Sequence, residues 1–172
     1  TQFSCEDVVF INHEANFFIL DPDRRHQDQS KNWGSTQLNP SITEIHHLVK
    51  KYRSAWIKLS PAMDTNLFKF PFSTEFIGFS KSVNELSVKT GHFYEGEGFV
   101  KTTQLDPFYQ ETHYDHETKL IGRKINFTTS AKAYVYEPTP LALASRLHVK
   151  LAVKHELNIL HPSIPYYSSD EI

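Results

Sequence analysis

From residue 74 onward, most of the chain alternates between apolar and polar residues. A two-residue period places successive side chains on opposite faces of a β-strand. Segments of this kind, spaced by roughly 8–12 residues as in antiparallel meanders, sandwiches and barrels, are Thr74–Ser80, Asn84–Thr90, Gly91–Thr103, Pro107–Tyr114, Lys119–Thr129 and Ala131–Glu137. The pattern predicts a mainly β (α+β) fold, with an antiparallel β-sandwich or an open barrel.

One earlier segment, Pro40–Trp56, has a three- and four-residue period instead. Its apolar stripe consists of Ile42, Ile45, Leu48, Val49, Tyr52 and Trp56. Ser41 and Glu44 have the spacing of a capping box, in which each side chain binds the backbone N–H of the other residue. The segment predicts one amphipathic helix over about residues 40–56, packed on the sheet.

Two further segments bear on the topology. Val8–Asn12 and Asn16–Leu20 are short apolar runs separated by three residues, which predicts a hairpin. Leu141–Leu160 has the Ala and Leu content of a helix, but it also alternates so that a strand would bury Leu147, Val149, Leu151 and Val153. This alternation favours a strand, with a helix as the alternative.

The chain length sets the domain organisation. A chain of 172 residues can form one domain with its own core, and no linker-like segment separates two halves. We therefore predict a single domain over residues 1–172. The polar segment 21–39 predicts a long loop, and the proline-containing segment 161–172 predicts an extended C-terminal arm. The sequence leaves open whether the chain is a fragment of a larger protein.

Composition narrows the functional classes only a little. Apolar and charged contents of 39% and 22% are ordinary for a globular protein, and a net charge of −2 provides no overall field for a polyanion. No apolar run approaches the ~20 residues that a membrane-spanning helix needs. A single cysteine, Cys5, favours an intracellular location, whereas the glycosylation sequon at Asn126 argues weakly against it.

Three residues near a predicted hairpin tip, His113, Asp115 and His116, are candidate ligands for a divalent metal ion. On a strand, His113 and Asp115 share one face, so an imidazole and a carboxylate could reach the same ion. This pair resembles the first half of the two-histidine, one-carboxylate motif of non-haem iron oxygenases. That resemblance implies a later histidine followed by an arginine, whereas here Arg146 precedes His148 and the later histidines. The alternative is a solvated hairpin tip.

The candidate contacts for a ligand or a partner are Glu95, Glu97, Trp33, Tyr166 and Tyr167. On one strand face, Glu95 and Glu97 would lie about 7 Å apart, a separation suited to acid–base work or to cation binding. The alternative is an edge strand that its charges keep soluble. The aromatic residues are of the type that anchors protein interfaces.

No set of titratable residues matches a reaction template. The sequence therefore predicts a non-enzymatic module for protein–protein recognition, without a cofactor, whose partner is another protein or a second copy of the chain. One alternative is a metal-dependent enzyme that uses the His/Asp cluster at 113–116. Another is single-stranded nucleic-acid binding through a basic sheet face with aromatic stacking.

Overall fold

The computed structural model describes residues 6–10, 14–23, 38–79, 81–96, 98–105 and 125–171, together with the backbone of 110–115. The strands in these residues are β1 (Phe18–Leu20), β2 (Ala55–Leu59), β3 (Ser73–Phe79), β4 (Ser82–Thr90), β5 (Phe99–Gln104), β6 (Gln110–Asp115), β7 (Tyr134–Tyr136), β8 (Asn158–His161) and β9 (Ile164–Ser169). The α-helices are α1 (Ile42–Tyr52), α2 (Pro140–Ala144) and α3 (His148–Lys154), and short 3₁₀ turns lie at Thr65–Leu67 and Gly91–Phe93.

The strands form two sheets, which confirms the predicted mainly β (α+β) fold. The strand order is β1-β2-β4-β3-β5-β6 in the larger sheet and β7-β9-β8 in the smaller one. The larger sheet departs from a purely antiparallel arrangement at its β1–β2 pair, which is parallel. In the described part of the chain, no helix has the length and apolar character needed to cross a membrane.

The chain divides into two compact units, each built from two separate segments. Unit 1 comprises residues 1–75 and 85–99, and unit 2 comprises residues 76–84 and 100–172. The chain passes between the units inside β3, β4 and β5, so all three crossings lie within strands. The prediction of one domain over 1–172 stays a prediction.

Helix α1, in unit 1, begins at the predicted capping box. Ser41 Oγ accepts a hydrogen bond from Glu44 N–H (3.3 Å), and Ser41 N–H donates to Glu44 Oε2 (2.7 Å). Hydrogen bonds from the Ser41 hydroxyl and backbone hold the pKa of Glu44 below its ordinary value. The helix ends at Tyr52 because Arg53 is left-handed, with φ 63°. The predicted end at Trp56 is therefore wrong, and Trp56 lies in β2.

Strand β1 pairs with β2, and among the described residues that precede β1 none pairs with it. Phe18 is in register with Ala55, and the Phe18 N–H donates to Ser54 O (3.1 Å). Residues 8–10 form a turn. The predicted hairpin between Val8–Asn12 and Asn16–Leu20 is therefore wrong. In the pairing with β2, the Phe18 ring lies 5.6 Å from the ring of Tyr52 on α1. Packing against the helix therefore favours the pairing of β1 with β2.

The core of unit 1 lies between α1 and one face of its strands. The helix buries Ile45, Leu48, Val49 and Tyr52. Phe18 contacts Tyr52, and its register partner Ala55 lies on the same face as Ile57 and Leu59, which are fully buried. Strand β4 adds Leu86 and Val88 to this face through its antiparallel register with β2. The alternate residues of these strands consequently point to the other side of the sheet.

Leu141–Leu160, in unit 2, does not form the strand that its alternation favoured. Thr139 caps α2 by accepting from Ala142 N–H, with Pro140 at the first helical position. In the following helix α3, Val149 is 37% exposed, whereas Ala152 is buried. Burial therefore does not follow the alternation that placed Val149 inside and Ala152 outside, and the predicted strand is wrong, because His148–Lys154 is helical.

The C-terminal segment 161–172, predicted to be an extended arm, contains β9, which pairs with β7 on one side and β8 on the other. Most of the predicted long loop 21–39 lies outside the described residues. At its ends, Asp23 and Asn39 exchange two backbone hydrogen bonds of 2.9 Å.

Candidate functional site

The face of the unit 1 strands that points away from α1, here called the distal face, combines charged and aromatic side chains. In the strand register, Ile19 pairs with Trp56, and Trp56 pairs with Lys89. Paired residues share a face of the sheet. Because Ala55 and Ile57 point to α1, the distal face carries Ile19, Trp56, Lys58, Ser87 and Lys89.

A buried ion pair joins β3 and β4 on the distal face. Lys89 Nζ lies 2.5 Å from Glu75 Oε2, and both residues are only 6% exposed. Desolvation of two charges offsets much of their attraction, so such a pair adds little net stability. Each partner is nevertheless needed by the other, because removing one leaves an uncompensated charge in the interior.

The Trp56 indole connects this ion pair to a second polar group. Lys89 Nζ lies 4.6 Å from the centre of the indole ring, a cation–π distance. The indole N–H donates to Ser87 Oγ (2.8 Å), and the Ser87 hydroxyl donates to Glu85 Oε1 (2.8 Å). The ring is therefore held by a cation at its face and by a hydrogen bond at its edge.

Apolar side chains extend from Trp56 to the margin of the sheet, and we call Phe17, Ile19, Trp56 and Phe93 the aromatic patch. The Phe93 ring contacts Trp56 (5.9 Å) and Phe17 (5.4 Å), both edge-on. Phe17 is 48% exposed and Ile19 is 69% exposed. Exposed apolar residues that form a contiguous group are typical of interaction surfaces.

Gly91 places Phe93 in the aromatic patch. It has φ +60°, and a Cβ atom there would lie 2.2 Å from both Arg53 O and Ser54 Oγ. A larger residue cannot occupy this position, so the chain turns tightly against the end of α1 and continues into the 3₁₀ turn Gly91–Phe93. This turn replaces the start of the strand predicted over Gly91–Thr103, and β5 begins only at Phe99.

Unit 2 holds a buried histidine–tyrosine pair between α3 and β9. His148 Nδ1 lies 2.8 Å from the Tyr167 hydroxyl, and Tyr167 is only 2% exposed. Burial lowers the pKa of His148 and raises the pKa of Tyr167. Both shifts favour the neutral forms, so the pair is an uncharged hydrogen bond at neutral pH.

Unit 2 also contains an open cavity of about 630 Å³ where α3 ends beside β7 and β9. Several of its polar groups already bind protein atoms. Lys132 Nζ lies 3.3 Å from Asp170 Oδ2, and the Tyr136 hydroxyl donates to Glu171 O (2.7 Å).

The structure does not gather the predicted site residues into one site. His113 and Asp115 lie in β6, of which only the backbone is described, whereas His116, Glu97 and Trp33 lie outside the described residues. Glu95 is exposed in the loop before β5, and its N–H donates to Ser73 Oγ (3.2 Å). Tyr166 is exposed, whereas Tyr167 points inward to His148.

No group of three or more His, Cys, Asp or Glu side chains suited to a metal ion occurs among the described residues. The metal assignment of His113, Asp115 and His116 stays a prediction, because their side chains are not among those described.

Sequence reasoning missed Glu75, Lys89 and the role of Trp56. Glu75 and Lys89 each stand in an alternating segment, where charged residues are expected to face water. Their burial follows from the β3–β4 pairing, and Trp56 was assigned to the helix stripe. An available signal was that Trp56 and Lys58 alternate with Ala55, Ile57 and Leu59, the pattern of a strand that follows a helix end.

Comparison with known proteins gives one informative result. No family model matches the chain. No curated protein matches it either. Among solved structures, the fold is similar to that of a putative methyltransferase from Porphyromonas gingivalis W83, with a TM-score of 0.71 and 20% sequence identity. The match covers 91% of this chain and 40% of that protein, and at this identity it shows the fold alone.

The likeness corrects the functional prediction from sequence. A non-enzymatic module for protein–protein recognition was expected, whereas a similar fold forms part of a protein described as a putative methyltransferase. The prediction relied on the absence of a set of residues that matches a reaction template. This absence does not exclude an enzyme, because an enzyme can carry its reacting groups on a different part of its structure.

We predict that Glu75→Gln destabilises the protein by about 3–5 kcal/mol, because Lys89 would remain buried without a counter-charge. The matched control is Asp21→Asn. Asp21 forms an exposed ion pair with Lys58 at 2.8 Å, and its loss should cost about 1 kcal/mol or less. Guanidinium chloride unfolding of both variants measures the difference. Equal losses of stability in the two variants would contradict the prediction, because the buried pair would then matter no more than the exposed one.

We predict a stability loss on acidification that depends on His148. Because the pKa of His148 is lower in the folded protein than its ordinary 6.5, the unfolded chain binds the proton more readily. Stability is therefore fully present above the unfolded pKa and falls as the pH drops below about 6.5. His148→Gln should flatten this part of the profile, whereas His47→Gln, at an exposed position on α1, should not. Urea unfolding between pH 5 and 8 tests this; unchanged profiles for His148→Gln would contradict it.

Proposed function

We propose that the chain is a β-rich part of a methyltransferase-like enzyme, and that it does not itself hold the methyl donor. The observation that carries this proposal is the fold likeness, which takes in 91% of this chain but only 40% of the Porphyromonas protein. In such an enzyme the remaining polypeptide would carry the donor site, and the present fold would contact substrate or position that polypeptide.

The residues of unit 1 fit the usual methyl donor, S-adenosylmethionine, poorly. Its reactive sulfur is a sulfonium cation, and the Trp56 ring face that could receive a cation already holds Lys89 Nζ at 4.6 Å. Nucleotide-binding α/β folds hold their ligand on a glycine-rich turn between a strand and a helix N-terminus. The β1–α1 connection, residues 21–41, contains a single glycine, Gly34, and α1 is capped by its own Glu44.

The distal face supports a contact role instead. A catalytic part of an enzyme needs a rigid neighbour to hold substrate within a fraction of an ångström of the reacting atoms. The ring of Trp56, fixed by Lys89 and by Ser87, is a rigid element of this kind. It lies beside exposed apolar side chains that water solvates poorly.

The test is to locate the donor site by photolabelling. The protein is purified from its natural source through a tag at its gene and irradiated with tritium-labelled S-adenosylmethionine, and labelled peptides are mapped. The 172-residue chain produced alone is treated in the same way. We expect label in the natural material on sequence outside residues 1–172, and no label on the isolated chain.

Two results would contradict the proposal. Label on peptides from residues 1–172 would place the donor site in this chain. Natural material that takes no label, and that transfers no methyl group to protein, RNA or small-molecule fractions of its source, would remove the methyltransferase-like function altogether.

A further inference from the structure

We infer that the aromatic patch is the docking surface for the part of the enzyme that binds the methyl donor. This inference rests on the proposed function. The patch has the composition of an interface centre, with two phenylalanines, a tryptophan and an isoleucine and no charged member. Two of these residues, Phe17 and Ile19, are about half exposed or more, so their apolar surface is available for burial.

The position of the patch suits a contact that continues the sheet. Strand β1 is terminal in the order of the larger sheet, so within the described residues it pairs with a strand on one side only. Ile19 lies in this strand, and Phe17 directly precedes it. A terminal strand with exposed apolar residues is a place where another chain segment adds or packs.

The pairing of the charges on the distal face favours an apolar protein surface over an anionic ligand as the occupant. The two lysines on the distal face are both committed within the chain, Lys58 to Asp21 at 2.8 Å and Lys89 to Glu75. A polyanion or an anionic membrane would thus gain no unpaired cation from these residues. An apolar protein surface does not need an unpaired charge in order to bind. Its binding would be favoured by the burial of Phe17 and Ile19.

The size of the occupant follows from the comparison and not from the patch itself. In the Porphyromonas protein, 60% of the chain lies beyond the region that this fold matches. A polypeptide portion of that extent can cover a surface of interface size, about 800 Å² per partner. A second copy of the present chain is the competing occupant, and it is separated from the first by the experiment below.

Hydroxyl-radical footprinting tests the inference on the natural material and on the isolated 172-residue chain. We expect the Phe17, Trp56 and Phe93 side chains to react more slowly in the natural material. Tyr134 in unit 2, which is 41% exposed, serves as the reference and should react equally in both samples. Ile19→Asp should abolish the protection at Phe17 and Trp56, whereas Val135→Asp, at another exposed site in unit 2 (55% exposed), should leave it intact.

Each other outcome overturns the inference. Donor-labelled material with an unprotected patch would show that the donor-binding part docks elsewhere and would leave the proposed function standing. Protection that grows with the concentration of the isolated chain would assign the patch to a second copy. If the natural material takes no donor label, both the proposed function and the docking inference are wrong. If Ile19→Asp unfolds, as circular dichroism would show, Phe17→Ser replaces it.

Discussion

The buried pair between Glu75 and Lys89 is the constraint on which unit 1 depends. Two opposite charges, both only 6% exposed, can exist inside the sheet only while each neutralises the other. The pair disfavours other registers of β3 and β4, since a one-residue slip of either strand would turn one charge to the opposite face. The same ammonium group lies over Trp56, so the position of the indole depends on the ion pair.

The two faces of the unit 1 strands have different physical roles. The face against α1 is apolar, and it carries the buried side chains of Ile57 and Leu59. The distal face carries buried charges and a partly exposed aromatic patch, which contributes less to folding than an apolar layer of the same area would. A surface that lowers stability and still holds its side chains in fixed contacts is more typical of a functional site than of a packed core. The docking role inferred above would use this surface, since its apolar side chains are exposed while its charges are paired within the chain.

Local signals in the sequence predicted local structure well. The capping box of Ser41 and Glu44 and the apolar period after it placed α1 correctly at its start, because these signals act within a few residues. The end of α1 was missed because the left-handed Arg53 has no sequence signature comparable to glycine. Leu141–Leu160 was misjudged because a short run of alternating Leu and Val fits both periods, and the cap at Thr139 with Pro140 was the better guide.

The candidate site could not be predicted because it is made by long-range pairing. Trp56 and Lys89 are 33 residues apart in sequence and meet only through the β2–β4 register. The residues chosen from sequence stand out by local clustering, as at Glu95 and Glu97, and local clustering does not reveal which side chains become buried together.

The central claim is that the Glu75–Lys89 pair is retained for the surface it organises and not for stability. The most direct measurement is on the double variant Glu75→Leu with Lys89→Met, which replaces the pair by apolar side chains of similar size. We expect its free energy of unfolding to stay within about 1 kcal/mol of the natural value or to rise. The methyl transfer proposed above, measured on the full-length protein carrying both substitutions, should fall at least about tenfold because Trp56 loses its cation. A variant that keeps full methyl transfer, or that loses several kcal/mol of stability as a single-residue variant does, would contradict the claim.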